Sequence, residues 1–270
     1  MRYRSGLLPH RHPDEAAVPL RPSRPPAPFV VCALLLAAGC TTVGGSADQA
    51  GPGRELSAAE LRASAVADAD LGPGYTVTVM KPGHGETGSG GARETADVPA
   101  CQPLLDAVTP AASVGGTVPT PGPGDPYAET DLGVARAADP EGGVYGGLLG
   151  YRAGRAAQLQ ADLEKLFGPC ASFTSTAPPP ADRSRKAVRT RHRLTRDDTP
   201  TPGGADASTG FTLTNESGSA VLSQRAVVAR VGPALAVFTT VGVGAEPATV
   251  PDERIVRQQV AKLRAAQAKR

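Results

Sequence analysis

The sequence predicts an α+β domain: a mostly antiparallel sheet with helices packed on it. Three observations lead there. Alternating, β-branched segments outnumber helical ones, and the two longest adjoin through Gly232-Pro233 as a hairpin. Amphipathic helical segments stand singly near the start, middle and end of the mature region, with none of the regular strand-helix alternation of a parallel sheet.

In chain order, Ser57-Ala-Ala-Glu60 is a capping box, with Leu56 and Leu61 as a hydrophobic staple, opening a helix that should end before Gly72-Pro73-Gly74. Tyr75 to Met80 alternates and reads as a strand, followed by a Gly-rich loop to Pro99 and a short helix from Cys101 to Val108. A Pro/Gly-rich excursion spans Pro110 to Pro126. Strands are expected at Thr130 to Arg136 and Val144 to Tyr151. The clearest helix covers Arg155 to Phe167, where Ala156, Leu159, Leu163, Leu166 and Phe167 share one face and Gly168-Pro169 ends it. Further strands are expected at Ser172 to Thr176, Lys186 to Leu194, Gly210 to Asn215, Ala220 to Val231 and Ala234 to Val243, then a last helix with Pro251 in its first turn, running towards Ala266.

Gly and Pro, 32 and 27 residues of 270, make up more than a fifth of the chain and cluster in blocks, so much of the length is loop or tail rather than core. With 4% aromatics and no Trp, the core must be built from Ala, Val and Leu. Ile255 and Asn215 are the only residues of their kinds, a bias expected of a GC-rich genome. A net charge of +2 supplies no basic field for nucleic acid.

Residues 1–39 have the parts of a secretory signal: an Arg-bearing flank, an uncharged run from Phe29 to Ala38, and small residues at its end. The run is about half of the roughly 20 residues that a spanning helix needs. Ala37-Ala38-Gly39-Cys40 resembles the bacterial lipobox, which implies lipidation of Cys40 and attachment to the outer face of the cell membrane. Leu36 stands one place earlier than the common pattern has its Leu, and Val18 is an alternative start to Met1. Residues 40–54 read as a flexible tether and 55–268 as one folded domain.

Cys32 leaves with the signal and Cys40 takes the lipid, so Cys101 and Cys170 remain as a pair. In an oxidising compartment their default is a disulfide, and a metal or redox site would need closer Cys spacing or a nearby His.

Leu56-Ser-Ala-Ala-Glu-Leu61, Asp70-Leu-Gly-Pro-Gly-Tyr75, Cys101-Gln-Pro-Leu104, Cys170-Ala-Ser-Phe173 and Val250-Pro251, in that order, resemble the extracytoplasmic sensor-type domain first associated with the mycobacterial kinase PknH, which also occurs in actinobacterial lipoproteins. The resemblance implies an exported α+β domain, a cleft for an unknown ligand, and disulfides holding helices to the sheet. One Cys pair and the absence of Trp depart from the kinase version.

Gly83 to Gly88 matches G-x-G-x-x-G after a strand, but no apolar helix follows to receive a pyrophosphate, so no cofactor is expected. No nucleophile elbow, Walker loop or zinc-binding H-E-x-x-H occurs, and His84 and His192 are the only histidines of the mature region. Asp162 and Glu164 suit the polar face of their helix, and Asp197-Asp198 a Thr/Pro loop. No catalytic residue and no metal site is expected, and the chain does not read as an enzyme.

The sharpest local feature is the basic stretch Arg183 to Arg196. On a strand, Arg189, Arg191 and Arg193 fall on one face, and Val188, Thr190, His192 and Leu194 on the other. Such a row can pair with phosphates or carboxylates of lipid head groups, wall polymers or an acidic partner. The plainer expectation is an edge strand whose charges discourage sheet-to-sheet pairing. The functional expectation is a membrane-anchored, non-catalytic ligand-binding or sensor-like domain. Its alternative is a structural envelope lipoprotein holding anionic polymer through the arginine strand.

Overall fold

Alternation along the strands decides the architecture. The computed structural model describes residues 53–80, 94–108, 126–177 and 187–269. The signal segment, Cys40, the glycine pattern 83–88 and the start of the basic stretch lie outside them. The elements are α1 (Ala58–Ala63), α2 (Asp68–Leu71), β1 (Tyr75–Met80), β2 (Thr95–Ala96), α3 (Gln102–Val108), β3 (Ala128–Arg136), β4 (Asp139–Gly150), α4 (Arg155–Lys165), β5 (Ser172–Ala177), β6 (Val188–Asp197), β7 (Ala207–Ser217), β8 (Ala220–Val231), β9 (Ala234–Val243) and α5 (Glu253–Ala268). They form one sheet in the order β1-β3-β4-β9-β8-β7-β6-β5-β2, antiparallel at every pairing among the described residues. From β5 to β9 each strand pairs with the next, while α4 carries the chain from β4, on the far side of β9, across to β5.

The β8–β9 hairpin sits mid-sheet and is apolar on both faces. Val227, Ala229, Val231, Ala234, Ala236 and Phe238 join one core with Leu61, Leu71, Ile255, Val260 and Leu263 from α1, α2 and α5. Ala226, Val228, Leu235 and Val237 join a second core with Leu104, Ala156, Leu163, Phe173 and Phe211 beneath α3 and α4. This double burial explains why Ala226 to Phe238 reads as a nearly continuous apolar run. The two helical layers are offset: α1 and α5 cover the β3, β4, β8 and β9 side of one face, and α4 covers β7 and β8 on the other. The β5–β7 half of the first face therefore carries no helix among the described residues.

The capping box forms as expected: Glu60 N donates to Ser57 Oγ at 3.3 Å, and Ser57 N donates to Glu60 Oε2 at 2.9 Å. The single helix expected from Ser57 to Leu71 is instead two, broken at 64–67. The cause is Gln259 of α5, fully buried, whose amide accepts from Val66 N at 2.9 Å and donates to Ser64 O at 2.8 Å. These bonds satisfy backbone groups that would otherwise require the helix to continue. Pro251 precedes the last helix rather than entering its first turn; Asp252 is the cap, accepting from Arg254 N at 2.9 Å. β2 was not foreseen. Asp197, expected in a loop, ends β6 in an ion pair with Arg225 at 2.8 Å.

Cys101 and Cys170 form the expected disulfide, with Cα atoms 5.7 Å apart and both residues fully buried. It ties the start of α3 to the chain just beyond α4, so both helices of the second layer share one covalent anchor.

Two stability measurements follow. The double variant Cys101→Ala/Cys170→Ala releases a loop of 69 residues and should lose about 4 kcal/mol, lowering Tm by roughly 10 °C in calorimetry. Gln259→Leu leaves Val66 N and Ser64 O buried without partners and should cost about 2–4 kcal/mol in a urea titration.

Candidate functional site

β6 is an interior strand, hydrogen-bonded to β5 on one side and to β7 on the other. The edge-strand explanation for its charges is thereby overturned, since an interior strand has no free backbone edge to protect. Arg189, Arg191 and Arg193 are exposed, while His192 and Leu194 between and after them are buried, as the alternation requires. Arg196 falls on the opposite face, pairing with Glu164 at 2.7 Å and lying over the Phe167 ring at 5.4 Å.

The surroundings of the row are hydroxyl-rich. In register on β5, Thr176 stands beside Arg189, Thr174 beside Arg191 and Ser172 beside Arg193. On β7, Glu216 stands opposite Arg191 and Thr214 opposite Arg193. Arg189 donates to Thr174 Oγ1 at 3.1 Å, and Thr174 in turn donates to Asp97 Oδ2 at 2.5 Å. The Thr174 hydrogen bonds, with a smaller contribution from the Arg189 charge, hold the Asp97 carboxyl below its usual range. Among the described residues no ion pair engages Arg191 or Arg193. The strip is bounded on the β8 side where the chain beyond β9 crosses the face: Ala248 N donates to Ser223 Oγ at 2.7 Å, and a Cβ on Gly242 would strike the backbone of Glu246 and Ala248.

Behind the row lies a polar chain. His192, 1% exposed, stacks on Phe173 with centroids 4.6 Å apart. Its Nε2 is 2.5 Å from Ser175 Oγ and its Nδ1 is 2.7 Å from Oδ1 of Asn215, the chain's only asparagine. Asn215 donates onward to Gln224 Oε1 at 2.7 Å, and Ser175 donates to Glu94 Oε1. The nearby imidazole, whose Nε2 is 3.6 Å from Glu94 Oε1, is the largest influence holding that carboxyl below its usual range, with Ser175 adding to it against the effect of burial. Ser, His and Asn in this order share the connectivity of a nucleophilic relay. Here, however, the Ser175 hydroxyl is 1% exposed and points its proton at a carboxylate rather than at an open cleft. The chain binds β2's approach to β5, β6 and β7. Sequence reading placed His192 inward but missed Ser175 and Glu94, whose partners are 17 and 81 residues away.

Elsewhere, Glu129 and Asp131 share a face of β3, and burial, with the Asp131 charge second, pushes the Glu129 carboxyl up to about 7. A groove of about 190 Å³ lies between α1 and the end of α5, and two ion pairs meet it, Arg54–Glu60 at 2.7 Å and Lys262–Asp70 at 2.6 Å. Among the described residues no three His, Cys, Asp or Glu side chains gather as metal ligands. No helix among them is long and apolar enough to cross a membrane.

No protein-family model matches the chain, and no curated protein matches it. Solved structures similar to it include the extracellular domain of PknH from Mycobacterium tuberculosis, 12% identical, covering 80% of this chain and 99% of that one with a TM-score of 0.48. Another is the Rv0999 ortholog from Mycobacterium smegmatis, 11% identical, covering 79% and 98% of the two chains with a TM-score of 0.38. At these values neither alignment bears on what this chain binds.

Glu129 yields a pH test. Its carboxyl prefers to be protonated in the folded state, so its share of stability is full below the ordinary value of 4.5 and is lost as pH rises towards about 7. Glu129→Gln should therefore match the parent near pH 4 and exceed it at pH 8 by on the order of 2 kcal/mol in denaturant titrations.

Proposed function

We propose that this chain is a non-catalytic domain held on the outer face of the cell membrane by a lipid on Cys40, and that it binds anionic envelope components through Arg189, Arg191 and Arg193. The observation that carries this reading is the placement of three exposed guanidinium groups on one face of an interior strand, two of them without ion pairs among the described residues. Charge at an interior position has no edge to guard. A surface row of this kind also repels itself, and an anion laid along it relieves that repulsion. Guanidinium forks match phosphate and carboxylate oxygens in paired hydrogen bonds, which suits head groups and acidic polymers alike.

Placement outside the cytoplasm is supported by the signal-like segment 1–39 and by the buried disulfide, a bond that persists in oxidising compartments. A segment of the composition of 40–54, rich in Gly and small polar residues, suits a tether that lets the domain settle on an adjacent anionic surface. The sensor-like expectation is retained here as a binding role: the domain reports or holds an anion and transforms nothing.

The test is retention of the full chain carrying Cys40→Ser, which removes the lipid attachment point, on anionic vesicles and on immobilised acidic polymer as salt is raised. The parent should be held at low salt and released at high salt, because exposed charge pairs are screened. Replacing all three arginines by Ser should lower low-salt retention at least about tenfold while leaving Tm nearly unchanged, as expected of exposed sites. Equal retention of parent and variant would sink the proposal.

A further inference from the structure

The arginine row is one rail of a longer pattern. Same-face residues on a strand are about 7 Å apart, so the Cα atoms of the three arginines mark out a line of roughly 13 Å along β6, with the Arg189 head group leaning to Thr174 beside Arg191. Beside it, about 5 Å away across the strand pairing, runs the hydroxyl rail Thr176, Thr174 and Ser172, one hydroxyl in register with each arginine. The line continues on β6 as exposed Thr195, and β7 contributes Thr214 and Thr212 opposite Arg193 and Thr195. Among the described residues, no protein hydrogen bond uses the side-chain hydroxyls of Ser172, Thr176, Thr195 or Thr214, whereas Thr174 and Thr212 are engaged with Asp97 and Asp197.

A bilayer surface makes poor use of this arrangement. Peripheral binding to lipid gains from apolar side chains that enter the head-group region as well as from cations. The exposed large apolar residues among those described are Val98, Tyr145, Val188, Val221, Val241, Val243 and Val250. None stands on β5 or β7, Val188 of β6 alternates to the face opposite the arginines, and on the neighbouring β8 a single one, Val221, opposite Glu216, shares the arginine face. The strip is instead lined by hydroxyls, with the carboxylate of Glu216 opposite Arg191, and its arginines repeat along the strand at a distance comparable to successive phosphodiesters separated by a three-carbon polyol. Each repeat would meet a guanidinium at its anionic group and a Ser or Thr at its hydroxyl.

Resting on the anion-binding reading above, we infer that the occupant is an extended, hydroxyl-bearing polyanion of the polyol-phosphate class, laid along β6 between β5 and β7. Phosphate affinity comes from Arg191 and Arg193, and preference for polyol over bare phosphate comes from Ser172, Thr195 and Thr214.

The test uses the full chain carrying Cys40→Ser, in detergent-free buffer, against three probes: poly(glycerol phosphate), inorganic polyphosphate of similar charge, and phosphatidylglycerol vesicles. Arg191→Ser/Arg193→Ser should weaken all three at least about tenfold. Ser172→Ala/Thr195→Val/Thr214→Val keeps strand propensity at surface positions. It should weaken poly(glycerol phosphate) at least about fivefold while changing polyphosphate and vesicle binding less than about twofold. If the hydroxyl variant binds poly(glycerol phosphate) like the parent, or if the vesicles compete better per phosphate than the polymer, the inference is wrong while the anion-binding proposal stands. If the arginine variant binds every probe like the parent, both fall. Loss of fold is separated from loss of binding by the Tm of each variant, and single Thr195→Val and Ser172→Ala variants serve should the triple variant melt early.

Discussion

Burial of the β8–β9 hairpin on both faces is the constraint on which the remaining structure depends. Two strands in which inward and outward side chains are alike apolar need a layer above and a layer below. The chain supplies α1, α2 and α5 on one side and α3 with α4 on the other. Because strands continue outward from the hairpin in both directions, and each helical layer is only wide enough for part of the sheet, the layers come to rest offset. Among the described residues, the strands beyond each layer are left with one face that no helix covers. On β5 to β7 that face carries arginine, threonine and serine, residues that need no cover.

The buried side of the same strands is less ordinary. Polar groups at His192 and Ser175 are enclosed and those at Asn215 and Glu94 half-buried, and the cost of enclosing them is offset because each finds a partner. The polar chain crosses three adjacent strands and the segment leading into β2, so it holds the register of the strands that present the arginines. On β6, His192 lies between Arg191 and Arg193, and a slip of one residue would bury guanidinium groups and expose the imidazole. Polar anchoring behind and free charge in front are two consequences of one alternation.

Covalent and side-chain ties complete the outer layers. Cys101–Cys170 joins α3 to the end of α4, where the second layer has short helices and little area of its own. Gln259 does the equivalent work for the first layer by replacing two backbone bonds between α1 and α2. Both layers thus depend on one specific bond or bonded group where packing area alone is limited, as expected of a chain with few aromatics.

Local patterns determined much on their own. The capping box at Ser57, the amphipathic run from Arg155, the hairpin at Gly232-Pro233 and the alternation of Arg189 to Leu194 each depend on neighbours within a few residues, so they could be read before any fold was known. The pairing of Cys101 with Cys170 followed from there being no other partner for either. Properties set between distant residues could not be read. Whether β6 was an edge or an interior strand depended on β5 and β7 arriving on both sides, and the break between α1 and α2 depended on a glutamine nearly 200 positions later. The guanidinium row was visible in the sequence as charge; only the tertiary structure decided that it is flanked by hydroxyls on both neighbouring strands, because register across strands is a relation between segments that no single segment encodes.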